Sequence, residues 1–112
     1  MNMREEKRGN VLVLIIDEKL LDASKAPMLR EEVSRRIDAG NHLLVFDLSE
    51  TQFMDSSGLG ALVTCLKRLG PSGGMAIAGV GGAVARLFAL TRMDKVFALH
   101  KTVDEAVGHL AS

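Results

Sequence analysis

The sequence predicts a single α/β domain, and three observations lead there. Short runs of branched and aliphatic residues alternate along the chain with segments whose apolar residues recur at the helical period. The interval between the first two runs is long enough for a helical crossover that lays their strands side by side. The length of 112 residues suits one domain of ordinary size, with 47% apolar and 25% charged residues, so a core forms without disulfides or metal.

Val11 to Ile16 has the length and β-branching of a buried strand, and Asp17 and Glu18 end it. The polar and charged residues 1–10 ahead of it read as a flexible N-terminal segment, with the domain proper over 11–112. A small extra strand is expected around Lys19 to Leu21. Asp22 or Ser24 then caps a helix with Pro27 in its first turn, whose inner face is Ala26, Leu29, Val33 and Ile37 and whose stop is Gly40. Leu43 to Leu48 is the second buried strand. From Gly58 to Leu69 the residues Leu59, Leu62, Val63, Leu66 and Leu69 repeat at the helical period and form a core face, and Gly70-Pro71 terminates the helix. Met75 to Ala78 makes a third strand after a Pro-Ser-Gly-Gly turn, and a helix burying Val84, Leu87 and Phe88 follows. Val96 to Leu99 is a last short strand. Thr102 caps a terminal helix that buries Val103, Ala106, Val107 and Leu110.

Composition excludes several classes of function. Fourteen basic side chains balance fourteen acidic ones, which removes the bulk attraction that nucleic acid or anionic lipid binding draws on. The longest aliphatic run, Val11 to Ile16, is far short of the roughly 20 residues that span a bilayer. The first ten residues lack the apolar centre of a signal peptide, and the lone Cys65 forms no intrachain disulfide; a cytoplasmic protein is expected. No Cys/His spacing suits zinc, and neither a metal nor a cofactor is expected.

The segment Phe53-Met54-Asp55-Ser56-Ser57-Gly58-Leu59-Gly60 carries the most information, because it joins an apolar stretch to an amphipathic helix through two hydroxyls beside a carboxylate. One role for Asp55 or Ser57 is to cap the helix by accepting from its free N–H groups. With Ser57 as the cap, Ser56 is left to face solvent. A nucleophile elbow requires Gly-x-Ser-x-Gly, but Met54 stands two before Ser56 and no histidine is placed as its base; His42, His100 and His109 are scattered and suit surface or loop roles. A phosphate-binding loop fails for want of a Lys-Ser/Thr pair after Gly58 and Gly60. What remains is that Ser56 receives a phosphoryl group, adding about 1.5 to 2 negative charges that any partner burying the loop would have to accommodate.

At these residues the chain resembles the bacterial anti-sigma factor antagonists of the STAS domain family. The likeness extends from Leu21-Asp22 through the strand Leu43 to Leu48 and the Gly73-Gly74 turn to Val84-Ala85-Arg86-Leu87-Phe88. The resemblance implies a STAS-like domain with a central mixed β-sheet of four or five strands packed with about four α-helices. It implies a non-enzymatic partner switch in bacterial transcription. The unphosphorylated protein binds an anti-sigma factor and so releases a sigma factor; the anti-sigma factor, a serine kinase using ATP and magnesium, phosphorylates Ser56 and lets go; a phosphatase restores binding. Asp22, Asp55, Ser56, Ser57, Gly58, Leu59 and Gly60 would form the partner-binding surface, on a monomer or weak homodimer.

Two other readings compete. The same fold serves as a scaffold in a stress-signalling assembly or as an accessory subunit of a transporter. The run Gly79-Val80-Gly81-Gly82, a strand followed by a helix, raises a small nucleotide-binding protein, but Val84 occupies the third glycine position and a tight turn with positive φ explains the glycines more simply. Cys65, between Leu62 and Leu66, is a small packed side chain, and the six methionines show no metal-binding spacing.

Overall fold

The computed structural model describes residues 1–111. Its centre is a five-stranded mixed sheet formed by β1 (Met3–Arg8), β2 (Val11–Ile16), β4 (Leu43–Asp47), β6 (Gly74–Ala78) and β7 (Ala98–His100), in that spatial order. β1 runs antiparallel to β2 and the other neighbours pair in parallel. A separate two-stranded parallel ribbon consists of β3 (Leu20–Leu21) and β5 (Phe53–Met54). The helices are α1 (Ala26–Asp38), α2 (Ser56–Leu69), α3 (Gly82–Leu90) and α4 (Val103–Ala111). This is the mixed sheet with four helices that the sequence implies.

The period of two along each strand separates two cores. Leu12, Leu14 and Ile16 of β2, Leu44 and Phe46 of β4, and Met75 and Ile77 of β6 pack with the buried residues of α1, α2 and α3. The intervening Val11, Val13, Val45, Ala76 and Ala78 pack with Ala106 of α4. The fully buried strand residues are therefore larger on the side of the three helices than on the side of α4, where Ile15 and Leu43 are only partly covered. The predicted inner face of α1 is buried at all four positions. In α2, Leu59, Leu62 and Leu69 are buried while Val63 and Leu66 are only partly covered; Ala61 and Cys65 complete the inner face. Burial pushes the Cys65 thiol up to about 11, which suits its packed role.

The first ten residues depart from expectation. Residues 3–8 are an edge strand in the sheet rather than a flexible lead. The two-residue connection Gly9-Asn10, with Gly9 at φ +62°, turns the chain back onto β2 as a tight hairpin. The strand's charges are tied down: Arg4 pairs with Asp17 at 2.6 Å, Arg36 of α1 with Glu5 at 2.8 Å, and Arg8 with Asp104 of α4. A charged outer strand also blunts the open edge of the sheet. The last strand is shifted from the expected Val96 to Leu99 to Ala98–His100, because after α3 and its cap Thr91 the left-handed Arg92, at φ 60°, opens a 3-10 turn over Met93–Lys95 that leaves Val96 exposed. At α4, Thr102 accepts the Glu105 N–H at 3.1 Å, as expected of its cap.

Candidate functional site

The β3–β5 ribbon brings together two segments 33 residues apart. Leu20 pairs with Phe53 and Leu21 with Met54, so Asp22 and Asp55 follow in the next register position. The Lys19 carbonyl accepts from Gln52 N–H at 2.8 Å and Phe53 N–H at 3.0 Å, and the Leu21 carbonyl accepts from Asp55 N–H at 3.2 Å. Gly58 closes the joint. A Cβ there would collide with the Leu21 carbonyl oxygen and lie 3.0 Å from Met54 Cγ, so only glycine lets the first turn of α2 rest against β3.

Asp55 is the N-cap of α2, with extended backbone at φ −103° and ψ −175°. Its Oδ1 accepts from Ser57 N–H at 2.9 Å and Gly58 N–H at 3.0 Å, and its carbonyl accepts the Leu59 N–H at 3.1 Å. The cap is therefore the carboxylate and not the Ser57 hydroxyl, and α2 begins at Ser56 rather than near Gly58. Ser56 is exposed and Ser57 partly covered. Gly58 and Leu59 are buried beneath them, and Gly60 faces solvent. Of the predicted loop, Asp55, Ser56 and Gly60 are open to a partner, while Gly58 and Leu59 hold the loop in place.

Asp22 sits on the facing strand end, half-buried. Its Oδ1 accepts from Ser24 Oγ at 2.6 Å and Ser24 N–H at 3.0 Å, which hold its carboxyl below the usual range. The Asp22 carbonyl accepts from Lys25 N–H at 3.0 Å and Ala26 N–H at 2.9 Å. Neither Asp22 nor Ser24 is the N-cap of α1; that position is Lys25, which has no side-chain cap bond, and Asp22 instead shapes the turn leading into it.

Beneath this turn lies Glu18, only 9% exposed, which sequence reasoning treats as no more than the end of a strand. Its Oε2 accepts the Asn2 N–H at 2.6 Å, its Oε1 meets Lys25 Nζ at 2.9 Å, and its carbonyl accepts the buried Thr51 Oγ1 at 2.8 Å. The Asn2 peptide hydrogen bond and the Lys25 ammonium hold its carboxyl down. Glu18 thus ties the start of β1, the entry to α1 and the approach to β5 into one support for the Asp22 and Asp55 turns. A second acid following Asp17 at the end of a wholly apolar strand is the only hint of it in the sequence.

The Gly79 to Gly82 run forms a turn, with Gly79 at φ +79° and Gly82 at φ +51°. An open cleft of about 290 Å³ beside it is lined by Ser49, Thr51, Gln52, Gly79, Gly81 and Gly82, none of them charged. His100 and His109, expected apart, have ring centroids 5.0 Å from one another across β7 and α4. No helix among the described residues is long and apolar enough to cross a membrane.

A family model described as the STAS domain matches residues 2–106. The anti-sigma F factor antagonist of Paenibacillus polymyxa is 31% identical over 108 residues, covering 95% of this chain and 91% of that protein. The crystal structure of an anti-sigma factor antagonist from Mycobacterium paratuberculosis superposes with a TM-score of 0.91 at 29% identity, over 99% of this chain and 94% of that one. An anti-sigma factor antagonist (STAS) domain protein from Planctomyces limnophilus shares the fold, with a TM-score of 0.88 at 21% identity and 98% of each chain covered.

Proposed function

The chain belongs to the STAS domain family, and from that premise we propose that it is an anti-sigma factor antagonist whose grip on its partner is set by a phosphoryl group on Ser56. The observation that carries this reading is the exposed Ser56 hydroxyl at the first position of α2, on a turn fixed by the Asp55 cap and the Gly58 contact. The side chain that stabilises the helix start is the neighbouring carboxylate, so the fold does not depend on the Ser56 oxygen and can carry it modified.

The protein performs no chemistry of its own in this scheme; its serine is the substrate. The partner, an anti-sigma factor serine kinase, supplies ATP. Ser56 Oγ attacks the γ-phosphorus, the bond to the β-phosphate oxygen breaks, the hydroxyl proton passes to a base of the kinase, and ADP leaves. The product carries about 1.5 to 2 negative charges next to Asp55, whose Oδ1 already takes the Ser57 and Gly58 N–H groups. The dianion therefore has to share the nearest donors with a carboxylate. A partner surface that buried the unmodified turn would have to desolvate this charge, which costs several kcal/mol, and each 1.4 kcal/mol lowers affinity tenfold. The kinase then lets go and resumes holding its sigma factor, until a phosphatase restores the hydroxyl. The cycle is cytoplasmic.

The test is to incubate the protein with ATP and each anti-sigma factor serine kinase of its own organism, and to map the label by mass spectrometry. Ser56→Ala is expected to abolish labelling and to retain kinase binding, and phosphorylation of the wild type to weaken that binding about a hundredfold. Undiminished labelling of Ser56→Ala would refute the assignment.

A further inference from the structure

The β3–β5 ribbon has two faces. Leu21 is fully buried and Met54 packs on the main core, so the inward positions of the ribbon are 21 and 54. By the strand period the outward positions are 20 and 53, followed by 22 and 55. Leu20 is 41% exposed and Phe53 58% exposed, and they are direct cross-strand partners. An aromatic and an aliphatic side chain therefore stand side by side in solvent, three residues before Ser56, with the carboxylates of Asp22 and Asp55 between them and the helix.

We infer that the Leu20–Phe53 pair is the apolar anchor by which the unphosphorylated protein docks its serine kinase, a contact that rests on the reading of Ser56 given above. A kinase that covers the exposed Ser56 comes within three residues of this pair, which is itself open to solvent. The acids set the rest of the complement: the kinase presents an apolar pocket with at least one arginine or lysine on the side that faces Asp22 and Asp55. Phosphorylation places its charge at the rim of that pocket, where the anchor must be desolvated for binding. An anchor of this kind supplies affinity and holds Ser56 in place, but it touches no reacting atom.

The experiment compares Phe53→Ala and Leu20→Ala with wild type in binding to the anti-sigma factor serine kinase that labels this chain, and in steady-state phosphorylation of Ser56. Burying the exposed part of the Phe53 ring predicts a loss of affinity of about 5- to 30-fold for Phe53→Ala, and a smaller one for Leu20→Ala. The KM for phosphorylation should rise by a similar factor with kcat unchanged, and the melting temperature should stay within about two degrees, since both side chains are already largely in water. Leu90→Ala, which removes a 73% exposed leucine at the end of α3, serves as the control and should leave affinity within about twofold. Unchanged affinity in Phe53→Ala, an equal loss in Leu90→Ala, or a fall in kcat at constant KM would each overturn the anchor. So would a concentration-dependent dimer that Phe53→Ala dissolves while leaving kinase affinity intact, because the pair would then serve a second copy. Wild-type protein that binds the kinase but is not labelled on Ser56 refutes the phosphoacceptor reading instead, so the two failures are distinguishable.

Discussion

Gly58→Ala and Gly60→Ala make the same chemical change two residues apart in the first turns of α2, and the structure expects opposite signs. In an unobstructed helix, replacing glycine by alanine stabilises by about 0.5 to 1 kcal/mol. At Gly60 nothing beyond the local helix backbone lies within 4 Å of the added methyl group, so the full gain is expected. At Gly58 the methyl carbon would lie 3.0 Å from Met54 Cγ and 3.1 Å from the Leu21 carbonyl carbon, with the carbonyl oxygen closer still. Backbone cannot rotate aside as a side-chain tip can, so the start of α2 must move off β3. Overpacking of this kind costs about 1 to 3 kcal/mol. The movement also stretches the Asp55 N–H to Leu21 carbonyl bond, already 3.2 Å, with a further loss of about 0.5 to 1.5 kcal/mol. After the helix-propensity gain, Gly58→Ala should be less stable than wild type by about 1 to 3 kcal/mol, or roughly 4 to 12 °C for a domain of this size, whereas Gly60→Ala should melt a few degrees higher. Urea unfolding and thermal melts followed by circular dichroism measure both. Equal stability of the two variants would refute the claim that α2 is seated directly on the Leu21 carbonyl.

Two further expectations concern the carboxylates around the site. Asp55→Ala removes the acceptor of two N–H groups and should cost about 1 kcal/mol in urea unfolding, with Asp55→Asn recovering most of it; if both variants lose equally, charge rather than capping is the cause. Glu18 is held below its ordinary value of 4.5 in the folded state. Its stabilising contribution is therefore complete above that value and is lost as pH falls through the lower folded value. Glu18→Gln should destabilise by about 1 to 3 kcal/mol near neutrality, and the gap to wild type should close in acid. A gap of the same size at about pH 7 and about pH 3 would show that packing, not charge, is responsible.

Much of the fold is legible in the sequence because two periodicities report it independently. The buried strands β2, β4 and β6 are continuous apolar runs, as parallel strands covered on both faces must be. The inner faces of α1, α2 and α4 follow from residues three and four apart. β1 escapes this reasoning: its residues are almost all charged, and what makes it a strand is the Gly9-Asn10 turn together with Asp17, Arg36 and Asp104, which only the fold places beside it. The same limit explains the shift at β7, since the left-handed Arg92 is not a residue type that announces such a turn.

The candidate site divides along the same line. That an acid and two hydroxyls open an amphipathic helix is legible from consecutive residues, because capping chemistry and helical periodicity are local. Which oxygen caps and which is left in solvent depends on the extended backbone at Asp55, whose N–H is held by the Leu21 carbonyl of β3. The register that sets Asp22 beside Asp55, the need for glycine at position 58, the support from Glu18 and the outward pairing of Leu20 with Phe53 come from the folded chain. Gly58 meets Leu21, and Leu20 meets Phe53, because the two short strands pair over the core, whereas Glu18 meets Asn2 at the open end of the β1–β2 hairpin and Thr51 on the approach to β5.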